Sequence, residues 1–281
     1  MRYGMNLLLW TTRVEARHRP ILTALADMGY DLVELPVFDL DDITAYERLG
    51  REVRDMGLAP LAVTALGPEQ NICADDPGTR QRGEAALHRM VDCAAAMGAP
   101  ILSGPIHSAI GVFSGRGPTA EELGRSAEVL SRVAERGATM GVRLAIEQLN
   151  RFECYLLNDT ASAAGFAQQV GSGAGILYDT FHAHIEEKDP DAAIRDHVDA
   201  IALVHISEND RSIPGRGQVR WDETFAALKA AGYDGPLVVE AFGMALPELS
   251  AATRIWRRMF DDELALAREA LTFMRRRWEA A

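Results

Sequence analysis

RLAIEQLN (143–150), GILYDTFH (175–182), IALVHISEND (201–210) and PLVVEAFG (236–243) share one pattern, a short apolar run that ends near a side chain suited to binding a metal. These side chains are Glu147, Asp179, His205 and Glu240, and they stand 32, 26 and 35 positions apart. That spacing is close to the roughly 30 residues of a strand–helix–strand unit, so successive parallel strands would deliver the four groups together. A buried carboxylate is costly unless it is paired or bound to a cation, and one shared site explains all four. Taken singly, each is more simply a polar residue closing a strand. In register, the four favour a site.

Comparable runs at Arg2–Trp10, Leu32–Leu35, Ala59–Ala65 and Pro100–Ser103 join Arg143–Leu149, Gly175–Asp179, Ala200–Ile206 and Leu237–Ala241 to make eight buried strands. Between them, Ile21-Leu22-Leu25-Ala26 and Leu123-Ala127-Leu130-Ala134 show the spacing of amphipathic helices. Met-Gly at 28–29, 56–57, 97–98 and 140–141, with Ala-Gly at 231–232, marks five helix ends, because Gly adopts the left-handed cap conformation without a Cβ clash. Strand then helix, eight times, predicts a closed (β/α)8 barrel.

The chain has 281 residues, within the range of one α/β barrel, and no Pro-, Gly- or Ser-rich linker divides it. We read 1–281 as a single barrel domain with a C-terminal helical extension, whose helix carries Leu264, Leu266, Ala270, Leu271 and Met274 on one face. Apolar residues at 48% and charged residues at 25% suit a folded protein with a large core. A net charge of −12 opposes the phosphate neutralisation on which nucleic-acid binding relies, so no nucleic-acid partner is expected. Cys73, Cys93 and Cys154 form neither a CxxC motif nor a disulfide framework, which suggests a reducing, cytoplasmic setting. Met5–Trp10 is too short for a signal segment or a membrane span, so neither is expected.

Loops that follow barrel strands build the active-site face. Gly104–Thr119 is therefore a candidate lid or pocket wall, with His107 and Trp10 as possible pocket-loop residues, and Gly243–Asp261 is a second long segment on that face. Two Glu, one Asp and one His make a mostly oxygen site that suits Mn²⁺, Co²⁺ or Mg²⁺ better than a structural zinc. Glu147 and Glu240 come from strands that are not neighbours. Two facing carboxylates beside a Lewis acid suit removal of a proton next to a carbonyl and its return to the other face.

Asn150-Arg151-Phe152-Glu153, Asp179-Thr180-Phe181-His182 with Ile185-Glu186-Glu187, His205-Ile206-Ser207-Glu208-Asn209-Asp210-Arg211, Pro214-Gly215-Arg216-Gly217 and Trp221-Asp222-Glu223 resemble the D-tagatose 3-epimerase family of ketose 3-epimerases. The resemblance runs the whole length and is strongest from Glu147 to Glu240. It implies a xylose isomerase-like barrel that binds Mn²⁺ or a similar ion through Glu147, Asp179, His205 and Glu240. It also implies C3 epimerisation of free ketoses such as D-tagatose, D-fructose/D-psicose or L-ribulose through a cis-enediolate, with Glu147 and Glu240 as the two acid/bases. Glu153, His182 and Arg211 would bind the oxygens at C1 to C3, and a homodimer or homotetramer is expected.

Plainer readings stand beside these. Glu153 and Arg211 are ordinary solvated residues in isolation, and His182 with His184 is an H-x-H pair that could itself bind metal. His18, His88 and His197 read as helix-surface residues. The runs Leu7-Leu8-Leu9 and Ile106–Ile110 depart from the aromatic residues common in relatives, which bears on contacts to C4–C6 of a sugar. The competing activity is an aldose–ketose or hydroxypyruvate-type isomerase on the same barrel.

Overall fold

In the computed structural model, which describes residues 1–281, the eight runs form eight parallel strands. These are β1 (Tyr3–Asn6), β2 (Leu32–Pro36), β3 (Ala59–Val63), β4 (Ile101–Gly104), β5 (Arg143–Glu147), β6 (Ala174–Asp179), β7 (Ile201–Ile206) and β8 (Leu237–Val239). Each strand pairs with the next and β8 pairs back with β1, so the sheet closes without a free edge. Helices α1 (Arg19–Met28), α2 (Ile43–Asp55), α3 (Pro77–Met97), α4 (Ala120–Thr139) and α5 (Thr160–Val170) follow the first five strands in turn. Two short helices, α6 (Thr180–Glu186) and α7 (Pro190–His197), follow β6 because Asp189-Pro190 starts a new helix: Asp189 caps it and Pro190 occupies its first turn. The series ends with α8 (Trp221–Ala230), α9 (Pro247–Ala252) and α10 (Glu263–Ala280). No helix is long and apolar enough to cross a membrane.

The five expected glycine caps all have positive φ, from 74° at Gly141 to 91° at Gly29, a region that L side chains rarely adopt. Helix α10 packs on its own barrel, against α8, α1 and the strand ends, through Leu266, Ala267, Ala270, Leu271, Phe273 and Met274. Leu264 is only half-buried there.

Alternation along the strands creates two interiors. Outward-facing residues such as Met5, Val33, Ile146, Tyr178, Val204 and Val239 belong to the main core between barrel and helices. Inside the barrel, Leu32, Leu61, Ala145, Leu177, Leu203 and Val238 form a separate apolar floor. Two residues further along their strands come Glu34, Glu147, Asp179, His205 and Glu240, all buried. Asn6 and Ser103 join this polar layer from β1 and β4, since both hydrogen-bond Glu34. The floor thus carries the site at the C-terminal strand ends.

Several sequence expectations need correction. The first strand stops at Asn6, not Trp10, because the Asn6 side chain accepts the Leu8 N–H at 2.8 Å and turns Leu7–Leu9 into a 3₁₀ turn. The eighth stops at Val239, which leaves Glu240 just beyond the strand. His18 is buried, not on a helix surface: its Nδ1 accepts the Glu15 N–H at 2.9 Å.

Candidate active site

Glu147, Asp179, His205 and Glu240 converge: one ligand atom from each lies within 4.8 Å of the others, and all four residues are buried. Asp179 also caps α6, with Oδ1 accepting the Phe181 N–H at 2.6 Å, so only Oδ2 faces the cluster. His205 Nε2 contacts Glu34 Oε2 at 2.8 Å, whereas its Nδ1 lies 3.3 Å from Glu240 Oε1 and 3.7 Å from Asp179 Oδ2. That buried Nδ1 has no hydrogen-bond partner. Once it gives up its proton, this buried ring nitrogen joins three carboxylates as the donor set of a divalent cation, so these residues fit a metal site.

The electrostatics agree. Burial, and then the Glu240 charge, pushes the Glu147 carboxyl well above the usual carboxylate range. Burial also raises Glu240, against the opposing pull of His205 and Arg211. At Asp179 the cost of burial is outweighed by the Arg211 guanidinium and then by His205, which hold its carboxyl well below the usual range. Burial opposes charge on His205 too, but Glu34 and Glu240 overcome it and raise the ring well above the ordinary histidine value. The pocket is built to hold positive charge.

Arg211 borders this cluster. Its Nη1 donates to Glu240 Oε2 at 2.7 Å, to Asp179 Oδ2 at 3.0 Å and to Ser207 Oγ at 3.0 Å. The guanidinium lies 3.8 Å from the Phe181 ring centroid, and it forms one wall of a cleft of about 560 Å³. Its φ of +62° is unusual for a residue with a Cβ and marks a backbone held in place by its surroundings. Glu208 supplies that restraint: one buried carboxylate accepts the N–H groups of Asn209, Gly215, Gln218 and Val219 and the Trp221 indole N–H.

His182 is buried and stands between Arg211 and Glu147. Its Nδ1 accepts the Asn150 backbone N–H at 3.0 Å, so the neutral ring carries its hydrogen on Nε2. Burial and Arg211 push its pKa down to about 4, which keeps it neutral. Nε2 lies 3.0 Å from Arg211 Nη2 and 3.5 Å from Glu147 Oε1, which sets two N–H donors side by side at the edge of the cluster. Glu153 is tied to the same corner, with Oε1 accepting from Asn150 Nδ2 at 2.9 Å. His184 lies apart, in a second cavity with Glu187 and Lys188. His107 is fully buried with Nδ1 3.1 Å from Ser108 Oγ, and Trp10 is partly buried against the core.

Glu34, Asn6, Ser103 and Glu208 were not singled out from the sequence as site residues. Glu34 left a signal, a carboxylate inside the apolar run Leu32-Val33-Glu34-Leu35. Asn6 and Ser103 left none, because small polar residues at strand ends are common.

Comparison with known proteins adds to this geometry. The xylose isomerase-like TIM barrel family model matches residues 22–277. A ketose 3-epimerase of Arthrobacter globiformis is 34% identical, over 98% of this chain and 96% of its own length. An L-ribulose 3-epimerase of Mesorhizobium japonicum is 32% identical, over 97% of this chain and 93% of its own. A solved L-ribulose 3-epimerase structure superposes with a TM-score of 0.93 at 31% identity, covering 99% of this chain and 95% of that one.

Proposed function

Starting from a chain that belongs to the ketose 3-epimerase family of xylose isomerase-like TIM barrels, we propose that it inverts C3 of free ketohexoses or ketopentoses by proton transfer between two glutamates. The observation that carries this reading is the placement of Glu147 and Glu240. They rise from β5 and from the end of β8, strands that are not neighbours, yet their carboxylates meet in one buried cluster. Relatives named for L-ribulose and D-psicose support a non-phosphorylated ketose, with D-tagatose and D-fructose as further candidates.

Glu147, Asp179, His205 and Glu240 would hold a divalent ion, most simply Mn²⁺, with Co²⁺ or Mg²⁺ also suited. When bound, the ion supplies Lewis-acid polarisation of the C2 carbonyl and C3 hydroxyl oxygens. One glutamate takes the proton from C3. The C–H electron pair becomes the C2–C3 double bond of a cis-enediolate, and the C2 oxygen gains negative charge. The other glutamate then protonates the opposite face of C3 and the carbonyl re-forms. Roles exchange with the direction of reaction.

Arg211 and the His182 Nε2–H would stabilise the developing oxyanion by hydrogen bonds that strengthen as charge grows. Glu153 would accept from a substrate hydroxyl. The three buried, unpaired thiols Cys73, Cys93 and Cys154 support a reducing cytoplasmic setting for this activity.

The test is C3 proton exchange in deuterated water across a panel of free ketohexoses and ketopentoses, with metal-stripped and Mn²⁺-loaded protein. The loaded protein should place deuterium at C3 and yield a second ketose. No exchange with any sugar, or an aldose product, would sink the proposal.

A further inference from the structure

We infer that Glu34 is a positioning residue that fixes the tautomer of His205 and so sets the affinity of the metal site. It rests on the four-ligand site proposed above and extends it to a residue on the other side of the barrel.

Glu34 sits on β2, completely buried, with three neighbours that donate to it. Ser103 Oγ donates to Oε1, and Asn6 Nδ2 donates to Oε2 at 2.8 Å. The third neighbour is His205 Nε2, also 2.8 Å from Oε2. An ionised carboxylate can only accept, so Nε2 must carry a hydrogen. In the neutral ring that binds a metal, the lone pair is then left on Nδ1, which faces the cluster and has no hydrogen-bond partner in the protein. A carboxylate behind a metal-binding histidine holds the ring angle and raises its basicity.

Asn6 extends the same control to a second ligand. Its Oδ1 accepts the Leu8 N–H at 2.8 Å, which fixes the orientation of the amide. Both Nδ2 hydrogens are therefore committed, one to Glu34 and the other to Glu240 Oε1 at 3.1 Å. The chain Ser103–Glu34–Asn6–Glu240, with His205 branching from Glu34, ties β1, β2 and β4 to two of the four ligands. Neutral Gln at 34 presents one acceptor atom and one donor atom where the carboxylate presents two acceptors. With its oxygen in the Oε2 position Gln still accepts from Asn6 and His205, and Ser103 can turn its hydrogen to Ala62 O 2.9 Å away. The amide lacks the negative charge that favours hydrogen on Nε2, however, so some molecules would hold His205 with its hydrogen on Nδ1.

The experiment compares metal-stripped wild type, Glu34→Gln and Ser103→Ala as full-length proteins. Mn²⁺ affinity is measured by calorimetry, His205 tautomer by nitrogen NMR with diamagnetic Mg²⁺, and turnover at saturating Mn²⁺. Glu34→Gln should bind Mn²⁺ about 10–100-fold more weakly, show mixed His205 tautomers, and recover most of its kcat once Mn²⁺ saturates. Ser103→Ala keeps the carboxylate but removes one of its anchors. It should weaken binding by a smaller factor, roughly 3–10-fold, and it carries the test if Glu34→Gln does not fold. Unchanged Mn²⁺ affinity in the folded variants would overturn the inference, as would intact affinity with collapsed kcat. Wild-type protein that binds no divalent ion would instead overturn the metal site itself.

Discussion

Asp179 and His205 face each other directly across the β6–β7 ladder because the pairing slips by one residue beneath them. Ile176 pairs with Ile201, but Leu177 pairs with Leu203, leaving Ala202 as the extra residue. Without the slip Asp179 would stand opposite Val204, whose side chain belongs to the outer core. A single-residue irregularity therefore puts two of the four clustered side chains on the same face of neighbouring strands.

Glu147→Gln and Glu240→Gln should each lower turnover by about 10²–10⁴-fold, the usual contribution of a positioned acid or base. C3 deuterium exchange reads the chemistry, and Mn²⁺ titration reads ligand loss separately. Near-wild-type exchange in either variant at saturating Mn²⁺ would remove that glutamate from the mechanism.

Metal binding should release protons. His205, Glu147 and Glu240 all have raised proton affinity in the metal-free chain, and a metal binds only their deprotonated forms. Affinity should thus rise with pH and weaken as pH falls. Calorimetry in buffers of different ionisation enthalpy would count the protons, and a pH-independent Mn²⁺ affinity would contradict the electrostatic picture.

Arg211→Ala removes the cation from Asp179 and Glu240 in a site where Arg211 is itself only 5% exposed. Uncompensated buried carboxylates should cost about 3–5 kcal/mol in the metal-free protein. Turnover should fall by about 10²–10³-fold. Arg211→Lys keeps the charge but loses the planar fork and the stack on Phe181, so it should restore stability more than rate. Denaturant melts beside kinetics separate the two effects.

Glu208→Gln should loosen the loop that presents Arg211. Five N–H donors converge on this carboxylate, and an amide oxygen accepts from fewer while its NH₂ opposes the rest. We expect a loss of about 2–4 kcal/mol and faster hydrogen exchange at the Gly215, Gln218 and Val219 amides. Unchanged exchange at those amides would show that the loop is held elsewhere.

Much of the architecture could be read along the chain. The apolar runs, the helical spacing and the Gly caps each act within a few residues, so the alternation of eight strands and their helices was visible in order. Strand ends were less legible, since Asn6 closes β1 by capturing Leu8 N–H through its own side chain. His18 likewise read as a surface residue, although its ring is buried and accepts the Glu15 N–H three residues away.

The same division holds for the site. Sequence alone picked out Glu147, Asp179, His205 and Glu240, because a polar residue ending a buried strand is conspicuous locally, and the motif around them marked Glu153, His182 and Arg211. Tertiary structure alone decided which atoms meet. Glu34 reaches His205 across 171 residues of chain, and Asn6 reaches Glu240 across 234. Such pairs are set by closure of the barrel and by register, where a slip of one residue turns a side chain from one face to the other. Local propensity carries the strands; only closure of the sheet puts a carboxylate from β2 behind a histidine from β7.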